Sequence, residues 1–308
     1  MNKENFRAYL AWIMICIVWG TTYLAIRVGV EHLPPMLFAG FRWIIAGSIF
    51  MTFLYLRGKH LPSKKEVVHL GIMGLLLLGG GNGLVVVAEQ WIPSGLTALI
   101  ITTIPFWIIG LETFFPDRPK LNLTSIAGLI LGLLGILLIF GRDISTMFNS
   151  SYIVGIISLL AAEFFWALGT LYSKHKKISV HPLMGASVQM LVAGVVLTLL
   201  GTSLGEFSVF TLETNSTLAL LYLIFAGSII GYGSYIYAVA HLPLSLVSTY
   251  AYINPVIALF LGWLILNEHI DSITIVASVI VFAGVALVKR GDDLNKKKIR
   301  AEIVQNEK

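Results

Sequence analysis

The chain has 308 residues, of which 57% are hydrophobic and only 12% are charged, and its formal net charge is +5. Soluble domains are nearer half apolar and a quarter charged, so this composition excludes an ordinary soluble protein. The hydrophobic residues form continuous runs rather than the alternating pattern of membrane-spanning strands, which disfavours a β-barrel.

Ten hydrophobic runs follow one another along the chain, separated by short polar segments. Each is close to the length of about 20 mainly apolar residues that crosses a bilayer as an α-helix. We predict spans at residues 8–30, 36–57, 66–89, 94–115, 122–140, 152–173, 182–203, 217–240, 245–266 and 271–290. The predicted fold class is therefore an all-α membrane protein with ten transmembrane helices, and the lipid bilayer is its first expected partner.

The basic residues are concentrated in every second loop. Of the 21 lysines and arginines, 18 fall before the first span, at the end of span 2 or in the loop after it, in the loops after spans 4 and 6, or from the end of span 10 onwards; the exceptions are Arg27, Arg42 and Arg142. Basic loops remain on the cytoplasmic side of a membrane. We therefore predict a cell-membrane protein with both termini in the cytoplasm. Because membrane topology explains the basic residues, no nucleic acid is predicted as a partner.

The first hydrophobic run and the single cysteine argue against a cleaved signal peptide, a disulfide and a cysteine metal site. The run has the full length of a span and lacks a small-residue cleavage site, so we expect it to remain as a span and not to be removed as a signal peptide. Cys16 is the only cysteine, which leaves no internal disulfide and no cysteine metal cluster. No metal or other cofactor is predicted.

The chain repeats itself at long range. Seven features recur in order, three at a spacing of 147 residues and four at 150: Trp19 and Trp166, Pro35 and Pro182, Ala46-Gly47 and Ala193-Gly194, Gly81 and Gly231, Ala88 and Ala238, Pro93 and Pro243, Pro105 and Pro255. An insertion of three residues reconciles the spacings, which favours a duplication. The predicted units are 1–147 with spans 1–5, 148–290 with spans 6–10, and a basic cytoplasmic tail at 291–308.

Each unit has five spans, an odd number, so the second unit must enter the membrane from the opposite side. The prediction is therefore two inverted five-helix repeats. Secondary transporters are commonly built in this way, with the substrate site at the repeat interface near the bilayer midplane.

Short motifs are distributed over both units. They are Val-Trp-Gly-Thr at 18–21, Phe-Arg-Trp at 41–43, Ile-Pro-Ser-Gly-Leu at 92–96, Phe-Trp-Ala-Leu-Gly-Thr at 165–170 and Ile-Asn-Pro at 253–255. With these motifs the chain resembles the EamA-type family of the drug/metabolite transporter superfamily. The resemblance implies transport, often outward, of small metabolites such as amino acids or toxic solutes. It also implies a Gly-Glu pair where this chain has Asn267-Glu268 and, in the first unit, Asp117-Arg118.

Polar side chains deep in a span are costly unless they are paired or functional. Glu163 lies near the middle of span 6, one helical turn before Trp166, so the two share a helix face. A charged carboxylate is expensive at that depth, which suits a carrier of the coupling proton or a contact for a substrate amine. A purely structural hydrogen bond is the alternative.

Arg42 lies inside span 2, about two turns from its outer end. Its side chain either snorkels to the surface or faces a cavity, where it can pair with a substrate carboxylate or with an acid such as Glu89. The matching position in the second unit is Gln189, which is still polar and favours a cavity-facing site. Glu89 is expected at the outer interface, and Glu112, about a turn from the inner end of span 4, could pair with Arg118 or Lys120.

Pro105 and Pro255 interrupt spans 4 and 9 near their centres, and each frees a helix carbonyl four residues earlier. We predict hinges there, with Asn254 as a polar neighbour; a packing kink is the alternative. Asn82 lies in a glycine run of span 3 that fits either gating or close packing. Gly128 and Gly132 in span 5 could pack a neighbouring span or form a homodimer, so both monomer and homodimer remain open.

Aromatic residues are the remaining candidates for the cavity. Three tryptophans lie well inside spans, and tyrosines crowd spans 8 and 9: Trp19, Trp107, Trp166, Tyr232, Tyr235, Tyr237, Tyr250 and Tyr252. An aromatic cavity would suit an apolar or cationic solute. Ordinary packing is the alternative for each residue.

The predicted function is secondary-active transport, in the export direction, of a small-molecule substrate by alternating access, with the proton as the candidate coupling ion. The substrate-binding candidates are Trp19, Arg42, Asn82, Trp107, Glu163, Trp166, Gln189, Tyr232, Tyr252 and Asn254. A membrane enzyme, a channel, and a carrier of drug-like cations or nucleotide sugars remain alternatives. No His-Glu-x-x-His pattern or intramembrane aspartate pair supports an enzyme.

Overall fold

A computed structural model describes residues 3–112, 114, 122–140, 150–176, 178–242, 247 and 250–306. Within these ranges the chain forms helices and no strand, and ten long helical segments follow one another. They are α1 (Lys3–Gly29), α2 (Pro35–Leu56), α3 (Lys64–Ala88), α4 (Ser94–Ile101, continued by Ile104–Glu112), α5 (Leu123–Phe140), α6 (Ser150–His175), α7 (Pro182–Ser203), α8 (Thr214–His241), α9 (Tyr250–Leu266) and α10 (Ser272–Asn306). The prediction of an all-helical membrane protein is confirmed.

Among the described residues, seven helices are long and apolar enough to cross a bilayer: α1, α2, α3, α6, α7, α8 and α10. The apolar parts of α4, α5 and α9 are shorter. The predicted boundary at 147–148 lies outside the described residues, as do Asp117 and Arg118. The predicted tail at 291–308 continues α10 without a break as far as Asn306.

The ends of α2 and α7 have the same local chemistry. Each helix begins with a proline, Pro35 or Pro182, whose missing N–H would have no helical partner at that position anyway. Beyond each helix lies a glycine with φ of +75°, Gly58 or Gly205, a conformation that glycine adopts without the strain of a Cβ. The two helices, each of 22 residues, thus begin and end with the same residue types.

Helix packing follows a regular scheme. α2 packs along α7, and α5 packs along α10. α1 contacts α8 and α9, while α6 contacts α3 and α4; α2 contacts α8, while α7 contacts α3. If each of helices 1 to 5 is exchanged with the helix five places later, these eight contacts map onto themselves; α1 also contacts α4, and that contact lies outside the scheme.

Glycines set the distance between α5 and α10. A Cβ placed on Gly284 would lie 2.8 Å from the Gly128 carbonyl oxygen and 2.8 Å from the Gly132 Cα. The two backbones are therefore in direct contact, as small-residue helix pairs in membranes allow. Of the two uses predicted for Gly128 and Gly132, the structure has packing of a neighbouring helix in the same chain.

The α5–α10 contact predicts a stability change for Gly284→Ala. The added methyl group meets backbone atoms that have no rotamer to adjust, so unfolding should become easier by roughly 1–3 kcal/mol. The thermal unfolding midpoint in detergent would measure this. Gly110→Ala is the control, because a Cβ there has no neighbour within 4 Å. An equal midpoint for Gly284→Ala and the wild type would contradict the close contact.

Candidate functional site

A cavity lies between the helices near their middle. The empty space in it is about 640 Å³, a figure that includes the part open to the outside. Six of the ten predicted substrate-binding residues line it: Trp19, Arg42, Asn82, Glu163, Trp166 and Tyr232. Six residues that were predicted on separate helices therefore come together at one cavity.

Two π-helical segments shape the cavity wall. They are Leu75–Asn82 in α3 and Leu223–Tyr232 in α8, and each ends at a residue that lines the cavity. A π-helical segment widens the helix locally and redirects side chains, and such segments are frequent at functional sites. The glycine run of span 3 lies largely inside the first of these segments.

A glycine in each π-helical segment receives a tryptophan from another helix. A Cβ on Gly81 would lie 3.0 Å from the Trp166 ring, and a Cβ on Gly231 would lie 2.7 Å from Trp19 Nε1. The two indole rings meet edge to face, with centroids 5.9 Å apart. The absent glycine side chains thus let both tryptophans reach the cavity.

Tyrosines complete the aromatic wall. The rings of Tyr235 and Tyr250 each lie 5.1 Å from the ring of Trp19, and Tyr232 stacks on Tyr235 at 6.0 Å. Such a wall presents a large apolar surface, and its ring faces attract cations. It can therefore surround either an apolar side chain or an ammonium group.

Arg42 is fixed inside the bundle, where its side chain is only 2% exposed. Its Nε donates to Ser228 Oγ at 2.8 Å and its Nη1 donates to Asn82 Oδ1 at 3.3 Å. The guanidinium carbon also lies 4.3 Å from the centroid of the Trp43 ring. Of the two orientations predicted for Arg42, the structure has the one that faces the cavity, and the snorkelling alternative is wrong.

Glu163 is fully buried and lies among hydrogen-bonding groups from α4. Trp107 Nε1 donates to its carboxylate at 2.6 Å, and Thr103 Oγ1 lies 2.6 and 2.8 Å from its two oxygens. Thr103 Oγ1 also lies 2.8 Å from the Ile100 carbonyl oxygen. Threonine has one hydroxyl proton, so it can donate to only one of these groups at a time.

This arrangement suits both protonation states of Glu163. When Glu163 is ionised, Thr103 and Trp107 both donate to it. When Glu163 is protonated, it can donate to Thr103 Oγ1, which then donates to the Ile100 carbonyl. A proton can therefore arrive or leave without stranding a buried hydrogen-bonding group.

The other four predicted residues lie behind or away from the cavity lining. Trp107 acts on Glu163, and Gln189 accepts a hydrogen bond from the Tyr232 hydroxyl. Asn254 is buried, and the amide orientation that satisfies both its ends donates to the Cys16 carbonyl at 2.9 Å. The Tyr252 hydroxyl donates to the Val285 carbonyl of α10 at 3.4 Å.

The two predicted hinges have different surroundings. Pro255 lies buried inside α9, which continues past it. Pro105 is the second residue after a break in α4, where Thr102 and Thr103 donate to Leu99 and Ile100 through short three-residue turns. Of these two helices, only α4 is therefore interrupted within the described residues.

Four further residues near the site were missed by the sequence reasoning. Thr22 and Tyr23 line the cavity, Ser228 bonds Arg42, and Thr103 bonds Glu163. Serine and threonine are common in apolar helices because they can bond their own backbone, so they gave no signal. The pair Thr102-Thr103 two residues before Pro105 was the available clue.

Two glutamates from the second half cap helices of the first half. Glu268 accepts from the Ser94 and Gly95 backbone N–H groups at 2.7 and 3.1 Å, at the start of α4. Glu206 accepts from the N–H groups of Met36 and Leu37 at 3.2 and 2.8 Å, at the start of α2. A carboxylate is favourable at a helix N-terminus, where N–H groups lack helical partners.

The comparisons with known proteins agree on one family. Residues 6–141 and 153–290 each match the EamA-like transporter family. YedA, an uncharacterized inner membrane transporter of Escherichia coli, is 36% identical over 300 residues, which is 96% of this chain and 95% of that protein. A probable amino-acid metabolite efflux pump of Salmonella typhimurium is 27% identical over 92% of this chain and 93% of its own length.

A solved crystal structure is similar to the whole bundle. Its TM-score is 0.65 at 19% sequence identity, and the match covers 91% of this chain and 95% of that chain. At this identity the likeness concerns the fold alone.

The hydrogen bonds of α4 predict different effects for two Thr→Val substitutions. Thr103→Val removes a partner of buried Glu163 and should lower the free energy of unfolding by roughly 1–3 kcal/mol. Thr97→Val is the matched control on the same helix. Thr97 is equally buried, but its hydroxyl has no hydrogen-bond partner, so valine should be neutral or stabilising. Thermal unfolding of both variants in detergent measures the difference, and equal midpoints would contradict it.

Proposed function

This chain belongs to the EamA-like transporter family, and on that premise we propose that it is a secondary-active exporter of small amino-acid-like metabolites that works by alternating access. The observation that carries the substrate class is the presence of Arg42 and Glu163 on one aromatic-walled cavity. A zwitterion has one group for each of them: a carboxylate for the guanidinium and an amine for the carboxylate.

The aromatic wall supports the same class of substrate. Trp19, Trp166 and Tyr250 surround the space between the two charged groups, where they can contact a substrate side chain. Asn82 holds Arg42 from α3 while Ser228 holds it from α8, so a substrate carboxylate would meet an oriented guanidinium. The amino-acid metabolite named for a relative is consistent with this chemistry.

Alternating access follows from the proposed repeat. We propose that units 1–147 and 148–290 are inverted repeats that rock against each other, with 291–308 as the cytoplasmic tail. The exchange symmetry of the helix contacts supports this, as do the two π-helical segments and the two separate family matches. Inverted repeats provide two related states, open to opposite sides of the membrane.

Proton coupling is the proposed energy source, with Glu163 as the carrier. Its partners Thr103 and Trp107 accommodate the charged and the neutral carboxyl group alike. Protonation of Glu163 would remove the charge that holds a substrate amine. Uptake of a proton from one side could thereby favour release of the substrate at that side.

A carrier of drug-like cations is the second candidate, because the aromatic wall and Glu163 alone would suffice for such a solute. Arg42 distinguishes the two, since a cation gains nothing from a guanidinium. A channel and a membrane enzyme have no comparable observation in their favour.

A counterflow screen in proteoliposomes tests the function. Amino acids and their derivatives should accumulate against unlabelled internal solute, and a decarboxylated analogue should compete roughly ten- to a hundredfold more weakly, because a charge-assisted contact of about 1.5–3 kcal/mol is lost. Glu163→Gln should remove the effect of an imposed pH gradient on transport. Stronger competition by the decarboxylated analogue would favour the cation carrier.

The outcomes of this screen separate the parts of the proposal. No accumulation of any solute would count against a transporter. Unchanged pH dependence in Glu163→Gln would contradict the proton role while leaving the substrate class intact. Thr97→Val serves as the control for a buried substitution in the same bundle.

The proposed orientation, with both termini in the cytoplasm, predicts the behaviour of terminal fusions. A green fluorescent protein attached after residue 308 should fluoresce, and an alkaline phosphatase at the same place should be inactive, because the latter folds only after export. Phosphatase attached within the loop at 30–34 should be active. The reverse pattern would contradict this orientation.

A further inference from the structure

The carboxyl group of Glu89 is buried without a hydrogen-bond partner. It directly follows the last helical residue of α3, its side chain is 0% exposed, and neither carboxyl oxygen has a hydrogen-bond partner. The sequence predicted this residue at the outer interface in contact with water, and that prediction is wrong. Glu163, the other glutamate that is 0% exposed, differs because Thr103 and Trp107 form hydrogen bonds with its carboxyl group.

An ionised carboxylate at Glu89 would be opposed by its surroundings. A buried charge without a hydrogen bond is among the most costly arrangements in a protein. The position is also the C-terminal end of a helix, where carbonyl groups concentrate negative potential. The carboxylate of Glu268 adds a like charge, and it is already committed to the N–H groups of Ser94 and Gly95.

Two arginines lie within electrostatic range of Glu89, yet each is used elsewhere. Arg27 of α1 donates to the backbone carbonyl of Glu89 rather than to its carboxyl group. Arg42 of α2 is committed to Ser228 and Asn82. Neither guanidinium donates to a carboxyl oxygen of Glu89, which fits a neutral acid.

Tyr23 connects this region to the cavity. It lines the cavity, and it lies within electrostatic range of both Glu89 and Glu163. Its hydroxyl group can donate and accept a hydrogen bond, as a proton relay requires. The charged and titratable groups around Glu89 are thus Tyr23 and Arg27 from α1, Arg42 from α2 and Glu268 after α9.

We propose that Glu89 is a second proton-binding site, which holds a proton in this conformation and releases it when the end of α3 becomes exposed to water. The carboxyl O–H bond breaks, the proton passes to water, and the carboxylate that remains is neutralised by Arg27. Reclosure returns a proton to Glu89. Its part in driving export rests on the proposed transport function, whereas its protonated state does not.

Infrared spectroscopy of the purified protein tests the protonated state without any substrate. A protonated carboxyl group has a carbonyl stretching band that a carboxylate lacks. Glu89→Gln should lose one such band completely, and Glu89→Asp should shift it. Glu31→Gln, at an exposed glutamate just beyond α1, should leave all bands unchanged. Retention of every wild-type band in Glu89→Gln would overturn the proposal.

The stability of Glu89→Gln also tests whether Glu89 is neutral. Glutamine has nearly the shape of a protonated glutamate, so Glu89→Gln should fold and unfold at a temperature equal to or above that of the wild type. Failure of Glu89→Gln to fold, with Glu31→Gln normal, would contradict a neutral Glu89.

Transport measurements then test the role of the proton. Glu89→Gln should retain counterflow and lose the accumulation that a pH gradient drives in the wild type, while Glu31→Gln retains both. Retained gradient-driven accumulation in Glu89→Gln would overturn the coupling role. Absence of counterflow in the wild type would instead count against the proposed function and leave the infrared result standing.

Discussion

The interior of a bilayer offers no hydrogen bonds, so every polar group inside this bundle depends on partners supplied by the protein itself. Arg42 has partners from two helices, and Glu163 has two side chains of α4. Glu89 has none for its carboxyl oxygens. The hydrogen-bond partners therefore distinguish the three residues. Arg42 is a fixed cation, Glu163 can exist in either protonation state, and Glu89 is suited to the neutral form.

Close helix contact makes those partnerships possible. Gly81 and Gly231 let Trp166 and Trp19 lie against the π-helical segments, so the cavity wall is aromatic without being filled. The same segments position Asn82 and Ser228 against Arg42. A larger side chain at either glycine would move an indole ring and, with it, the shape of the space between Arg42 and Glu163. The same close helix contacts therefore set both the shape of the cavity and the hydrogen bonds of its polar residues.

The glutamates that cap α2 and α4 add contacts between the two halves of the chain. Glu206 and Glu268 come from the second half, and each bonds the first N–H groups of a first-half helix. In a rocking motion such a contact either moves with both helices or breaks and leaves backbone groups unpaired. Glu268 also contributes like charge near Glu89, so movement at the start of α4 would change the surroundings of that acid.

The sequence alone predicted the class of fold and six of the residues that line the cavity. Continuous apolar runs can satisfy their backbone in a bilayer only as helices, and matched residues such as Trp19 and Trp166 indicated where the two halves meet. It could not determine which polar groups have partners, because that depends on side chains from helices far apart in sequence. Thr103 with Glu163, Ser228 with Arg42 and the buried position of Glu89 were decided only by the tertiary structure. The length and apolarity of a run predict whether it forms a helix in a bilayer. Hydrogen bonds between helices depend on how the helices pack, which these patterns do not describe.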